Sequence, residues 1–473
     1  MDKFYITTSI AYTNAPPHIG FALESIQADV LARWNRALEK DVFFLTGTDE
    51  HGTKIAQKAK EEGKSPQDFV DEISGKFLEL TKTLNISNDD FIRTTDRKRH
   101  WPVVEKFWKQ LEENGDIYKK KYKGLYCSGC EAFITDKDLE DGKCSVHKKE
   151  PEEIEEENYF FRLSKYQNKI RKKIEKDELK IIPGTKKNEM LGFIKQGLED
   201  ISFSRSREKL KWGIPVPGDD SQVMYVWADA LTNYISAINF DRYWPADVHC
   251  VGKDILKFHA LIWPAMLLSL GIDLPKKIFV HGFISVDGQK MSKSLGNVID
   301  PIELINKYGV DAVRYYLLRE ITSTEDGDFS YEKFEQRYNS DLASGIGNLV
   351  ARVKTMAEKV GFKPGNIKDV EPKIIKAQKE YKKALEEFKF NEALKSIWDL
   401  ISFCDKYIEK EKPWEHNSNS AQVLDNLLIV LDNISELLEP FLPETAEKIK
   451  KEITRKSNKF SNKRGESLFP RIC

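Results

Sequence analysis

The chain has 473 residues, of which 40% are apolar and 32% charged, and its 75 Lys+Arg against 76 Asp+Glu leave a net charge of −1. That length sets two to four domains, the composition excludes a disordered chain, and the near-zero charge excludes a global field for nucleic acid, so any such contact must use local basic patches. No run of eighteen apolar residues occurs, residues 1–11 carry no basic region followed by a long apolar core, and six cysteines are too few for a disulfide framework. A cytoplasmic protein with no membrane association is expected.

Residues 4–10 are β-rich, Asn14-Ala15-Pro16-Pro17 breaks the strand, and Leu23, Ile26, Val30 and Trp34 then repeat at helical spacing. A second strand is predicted over 42–45 and ends in Thr46-Gly47-Thr48-Asp49. Strands alternating with helices predict a parallel α/β sheet of the doubly wound, Rossmann type. Over 117–222 the alternation is lost to a Cys/His cluster, an acidic run at 150–157 and a loop-rich stretch at Trp212-Gly213-Ile214-Pro215, so this segment reads as an insert that splits the sheet. Alternation resumes with a strand over 249–251, an apolar helix through Leu261, Ala265 and Leu268, and a strand over 278–280. After about Ser330 helical periods take over, as in Phe390, Leu394, Ile397, Trp398, Ile401 and Cys404, which predicts an all-α last third. The basic stretch 451–464 suits RNA contact and a solvated helix end equally.

Two segments carry the chemistry. Pro16-Pro17-His18-Ile19-Gly20 falls where the first strand hands over to the first helix, the place where open parallel sheets bind nucleotides. A histidine there can donate to phosphate oxygens, the helix N-terminus adds partial positive charge, and Gly20 permits close approach of a ligand, although alone such a histidine is more often a cap or a surface residue. Lys290-Met291-Ser292-Lys293-Ser294 follows the last strand and the turn at Asp287-Gly288; its two lysines three apart suit a leaving pyrophosphate, since charge that builds during in-line displacement must be met by cations. Cys127 and Cys130 are separated by two residues, as are Cys144 and His147, and two such knuckles predict one structural zinc with no open coordination position.

Taken in this order, His18-Ile19-Gly20 and the 290–294 segment resemble the two signature sequences of class I aminoacyl-tRNA synthetases. Within that class the whole chain resembles methionyl-tRNA synthetases. The resemblance implies catalytic roles for His18, Gly20, Lys290 and Lys293, and ATP contacts from His18, Gly20, Gly252, Asp254, Lys290, Ser292 and Lys293. It implies a methionine pocket of Ile10, Tyr12, Asp49, Trp227, Ala230, Tyr234, Ile255 and His259, in which aromatic faces hold a thioether and Asp49 takes the α-ammonium. Asn339, Pro413 and Trp414 match positions that read the anticodon, and the knuckle with ligands Cys127, Cys130, Cys144 and His147 matches a zinc-bearing insert. One departure is Phe21, which stands where the first signature normally carries a second histidine.

The implied enzyme uses ATP with Mg²⁺ to form methionyl-adenylate and then charges tRNA(Met), as a monomer. Its expected divisions are 1–116 and 223–275 for the two halves of the Rossmann domain, 117–222 for the insert, 276–330 for a stem-contact segment and 331–473 for a helical-bundle anticodon-binding domain. A class I synthetase for another amino acid would alter the pocket, and a weakened tRNA-binding paralogue would have lost the lysine loop, which is intact.

Overall fold

The computed structural model describes residues 2–127, 132–134, 138–146, 148–291, 296–360, 367–453 and 467–472. They fall into two compact units, one of Met1–Pro17, Glu39–Lys82 and Ser87–Val280, the other of His18–Leu38, Thr83–Ile86 and His281–Cys473.

The first unit is built on a parallel sheet. Its strands are β1 (Lys3–Thr7), β2 (Ala11–Tyr12), β3 (Asp41–Asp49), β4 (Asp90–Arg93), β5 (Lys180–Ile182), β6 (Val248–Gly252) and β7 (Lys277–His281). They lie in the order β5-β7-β6-β1-β3-β2, and β4 also pairs with β3. The central strand β1 is parallel to both neighbours, with Tyr5 opposite Phe43 and Thr7 opposite His249. Gly47 sits in β3 because β4 leaves no room for a side chain: a Cβ there would stand 2.0 Å from the Ile92 carbonyl oxygen. Tyr5, Leu45, Ile92, Trp108, Trp263, Met266 and Val280 are buried in one apolar cluster that fixes where the strand ends point.

The acidic run at 150–157 lies mostly in the strand Glu152–Phe161, which pairs antiparallel with Ile117–Cys127 so that Lys121 faces Glu157 and Lys123 faces Glu155. Cross-strand charge pairing stabilises this hairpin where apolar alternation is absent. The short strand β5 comes from the same stretch of sequence, yet it joins the main sheet beside β7.

In the second unit, among the described residues, everything after Ser330 is helical or irregular, with long helices Glu371–Glu386, Phe390–Glu411 and Ser420–Leu438. Phe390, Leu394, Ile397, Ile401 and Cys404 are buried, as their spacing predicts. The helix Ile19–Ala37 belongs to this unit and is tied into it by Arg314. That guanidinium is fully buried and donates to Asp29 Oδ2 at 2.7 Å and to the backbone oxygens of Phe441, Leu84 and Pro440. A buried charge held by an ion pair and three backbone carbonyls keeps one geometry, because any shift leaves it uncompensated. A three-stranded sheet of Gln289–Lys290, Ile284–Val286 and Gly327–Phe329 completes the unit.

Candidate active site

His18 is the N-cap of the helix Ile19–Ala37, and its Nδ1 accepts from the Gly20 amide at 3.0 Å. A nitrogen that accepts carries no proton, so the ring is neutral and presents Nε2–H as a donor. Desolvation lowers its pKa from the ordinary histidine value in the same direction, although the ring remains exposed to solvent. Gly20 is required by this contact, since a Cβ would lie 2.8 Å from His18 Cε1 and 3.0 Å from Nδ1. Phe21 follows, half-buried in the first turn.

The amide of Ile19 donates to the carbonyl of Ile299 at 3.3 Å, which ties the start of this helix to the chain five residues past the 290–294 segment, within the second unit. Lys290 is exposed on a hairpin whose turn residues Asp287 and Gly288 both have positive φ, 50° and 74°. This is the turn geometry that Asp-Gly favours. Ser292 and Lys293 lie outside the described residues.

In the first unit, Tyr12 stands directly opposite Asp49 in the β2–β3 pairing. Asp49 is buried at the end of β3, and its carbonyl accepts from the Thr13 amide at 3.0 Å. Ile10, Tyr12, Trp227 and Ile255 pack, partly exposed, against the same apolar cluster, while Ala230, Tyr234 and His259 are buried. His259 Nδ1 bonds the Ile255 carbonyl at 2.9 Å, so in the neutral ring Nε2 accepts from the Tyr234 hydroxyl at 2.7 Å. The two polar groups therefore engage each other. Trp227 stands edge-on to His259 at 6.1 Å between centroids and stacks on Phe258 at 3.7 Å. His249, its ring centroid 4.2 Å from that of Tyr234, is fully buried; burial and the neighbouring His259 push its pKa far below the ordinary value, so it is neutral. Together these groups form a largely aromatic wall, and one carboxylate, Asp49, stands at the end of β3. Gly252 ends β6, buried, and Asp254 is exposed two residues on.

A family profile described as tRNA synthetases class I (M) matches residues 4–140 and 130–354, and one described as anticodon-binding domain of tRNA ligase matches 368–469. The methionine--tRNA ligase of Caldanaerobacter subterraneus subsp. tengcongensis is 46% identical, covering 99% of this chain and 79% of that protein. That of Thermotoga maritima is 44% identical, over 94% of this chain and 74% of that protein. The chain belongs to the methionyl-tRNA synthetase family. The solved Mycobacterium tuberculosis methionyl-tRNA synthetase in complex with methionyl-adenylate matches with a TM-score of 0.93 at 37% identity, over the whole of both chains.

Two polar clusters that sequence reasoning missed adjoin the residues expected to line the methionine pocket. Glu50, fully buried, takes a bidentate pair from Arg93 (2.6 and 2.9 Å), the Thr48 hydroxyl at 2.7 Å and the Thr95 hydroxyl. Asp229, in the helix Val226–Ala230, accepts from His51 Nδ1 at 2.5 Å and His100 Nε2 at 2.7 Å. Burial opposes the charge of Asp229, yet the two imidazoles hold its carboxyl below the ordinary value. The available signal was Asp49-Glu50-His51, three polar residues at a parallel strand's C-terminal end, where such sheets build sites.

Other predicted residues lie elsewhere. Trp414 is 43% exposed in a short turn Pro413–Glu415, with Pro413 buried beneath it. The Asn339 amide is engaged by the backbone of Ile472, donating to its carbonyl at 3.0 Å and accepting from its N–H at 3.1 Å. Cys127 and Cys144 are buried with Ile134 in a small cluster separate from the main core. Cys130 and His147 lie outside the described residues. Among the described residues, no group of three or more His, Cys, Asp or Glu side chains is arranged to hold a metal ion, and no helix is long and apolar enough to cross a membrane.

Proposed function

We propose that this chain activates L-methionine with ATP and Mg²⁺ and transfers the methionyl group to tRNA(Met). In the first step a methionine carboxylate oxygen attacks the α-phosphorus, and the bond to the leaving pyrophosphate breaks. In the second the terminal adenosine hydroxyl of the tRNA attacks the adenylate carbonyl, and AMP leaves. Both steps need position and charge stabilisation more than proton transfer, because the mixed anhydride is already reactive. His18 Nε2–H donates to the ATP phosphates beside the helix N-terminus, Gly20 keeps the ring in place, and Lys290, Ser292 and Lys293 meet the pyrophosphate. Gly252 and Asp254 hold the adenosine.

The observation that carries the choice of methionine is the Tyr234–His259 hydrogen bond beside Trp227. With those polar groups joined to each other, the wall of Ile10, Tyr12, Trp227, Ala230, Tyr234 and Ile255 offers a polarizable thioether favourable aromatic contact, while a hydroxyl or charge of similar size would be desolvated without a partner. Asp49 takes the α-ammonium. Measurement of ATP–pyrophosphate exchange with each amino acid in turn tests this: methionine is expected to support it best, and better exchange with another amino acid overturns the assignment.

The same reading puts one structural zinc in the 117–222 insert, held by Cys127, Cys130, Cys144 and His147. Three buried residues, Cys127, Ile134 and Cys144, are too small a cluster to fold on their own, and sulfur and nitrogen donors are the set zinc takes. Freshly purified protein is expected to hold one zinc per chain, and Cys144→Ala to release it while exchange activity persists; protein that carries no zinc under elemental analysis removes the assignment. The segment 276–330 is read as the stem contact and 331–473 as the anticodon-binding domain, with Asn339, Pro413 and Trp414 at the anticodon.

A further inference from the structure

The methionine residues proposed above sit on segments too short to hold their own shape. Trp227 and Ala230 lie on a five-residue helix, Val226–Ala230, and Tyr234 on a four-residue one, Asn233–Ser236. Helices of that length are not stable by themselves, so something outside them must fix them. Asp49 ends a strand and is followed by a backbone reversal, in which Gly52 has φ 116°.

One buried carboxylate joins all three segments. Asp229, 1% exposed, lies between Trp227 and Ala230. Its Oδ2 accepts from Nδ1 of His51, two residues past Asp49, at 2.5 Å. Its Oδ1 accepts from Nε2 of His100, at the start of the helix Trp101–Glu113, at 2.7 Å. With its proton on Nε2, His100 accepts at Nδ1 from the Ser236 hydroxyl, 2.8 Å away and two residues past Tyr234. Hydroxyl, imidazole, carboxylate and second imidazole thus form one continuous chain. His51 is 2% exposed and His100 is fully buried. The His51 ring is further boxed edge-on by Trp212 at 5.4 Å and Trp101 at 6.0 Å, whose indole N–H groups donate to the carbonyls of Glu50 and Thr94. Loss of the carboxylate would leave two buried imidazole donors unmet and free the short helices to shift.

We propose that Asp229 is a positioning residue for methionine: without touching the substrate, it sets the spacing of the segments that carry Asp49, Trp227, Ala230 and Tyr234. This rests on the methionine-pocket reading given above. The alternative for such a cluster is a purely structural one, in which its loss lowers stability and all kinetic parameters together.

The test uses the full chain in ATP–pyrophosphate exchange, with KM for methionine and for ATP, kcat and melting temperature measured for Asp229→Ala, Asp229→Asn and Trp227→Ala. Asp229→Ala is expected to raise the methionine KM roughly tenfold or more while the ATP KM stays within about twofold. Asp229→Asn keeps the shape and one acceptor but turns a donor toward His51 or His100, which must then take its other tautomer, so its methionine KM is expected between wild type and alanine, about three- to tenfold raised. Trp227→Ala reports on the pocket itself. If Trp227→Ala raises the methionine KM and neither Asp229 variant does, or if both Asp229 variants shift the two KM values and the melting temperature in parallel, the positioning role is overturned and the pocket stands. If none of the three moves the methionine KM, the pocket reading falls first. Should the alanine variant fail to fold, the asparagine variant decides by the same comparison.

Discussion

His18→Ala is expected to lower the rate of methionine-dependent ATP–pyrophosphate exchange by roughly 10² to 10³, the usual cost of one donor aimed at developing charge. The expectation follows from the ring's protonation. Because Nδ1 is committed as acceptor from the Gly20 amide, the imidazole is neutral with a proton at Nε2, oriented by the helix it caps. Because the ring is exposed, its removal costs one N-cap bond, about 1 kcal/mol, and the melting temperature should fall only slightly. His18→Asn preserves a cap but not the reach of Nε2, so it separates the two roles: stability should return and the exchange rate should not. A companion substitution probes the orientation alone. Gly20→Ala places a methyl 2.8 Å from His18 Cε1, and the ring can yield only by turning away. Exchange should drop about tenfold while the melting temperature falls no further than in His18→Ala, because turning the ring away gives up only the same N-cap bond: a geometric penalty and not a loss of the group. Full exchange activity in His18→Ala removes the histidine from the chemistry.

The parallel sheet and the helical last third were legible because they follow apolar period, the strongest signal a single sequence carries. β6 and β7 bury the residues that predicted them, and β3 and the helix Phe390–Glu411 bury all but Phe43 and Trp398, which are half-buried. Apolar period could not reveal the hairpin of Ile117–Cys127 with Glu152–Phe161, since its strands are held by lysines facing glutamates across the pair. Nor could it reveal the membership of β5 in the main sheet, three residues whose place is set by tertiary contact with β7. Residues were easier to nominate than to connect. Tyr234 and His259 were both named for the pocket, but their mutual hydrogen bond depends on the π-type turn at Phe258–Ile262 and on the Ile255 carbonyl. The His51–Asp229–His100 chain spans 178 positions, and polar residues brought together from such distances leave no periodic trace. Asn339 shows the converse: nominated for RNA, its amide is engaged by the backbone of Ile472, so an anticodon role would require that contact to open.

Trp414→Ala is expected to cut aminoacylation of tRNA(Met) by about 5- to 150-fold, equivalent to the roughly 1 to 3 kcal/mol that stacking one base on an aromatic face contributes. The indole has the placement such a role needs. The helix Phe390–Glu411 ends at Lys412, whose φ of 47° reverses the chain, Pro413 is buried and anchors the turn, and His416 at φ 54° closes it. A large apolar ring that remains 43% exposed between two such constraints leaves surface on which an unpaired base could stack. The loss should appear as a higher KM for tRNA or a slower transfer step. ATP–pyrophosphate exchange involves no tRNA and should be unchanged, as should the melting temperature, because less than a core residue's area is withdrawn from the fold. Trp414→Phe keeps a stacking face and should recover most of the transfer activity, whereas a variant with exchange and stability both lowered would assign the indole to packing between helices.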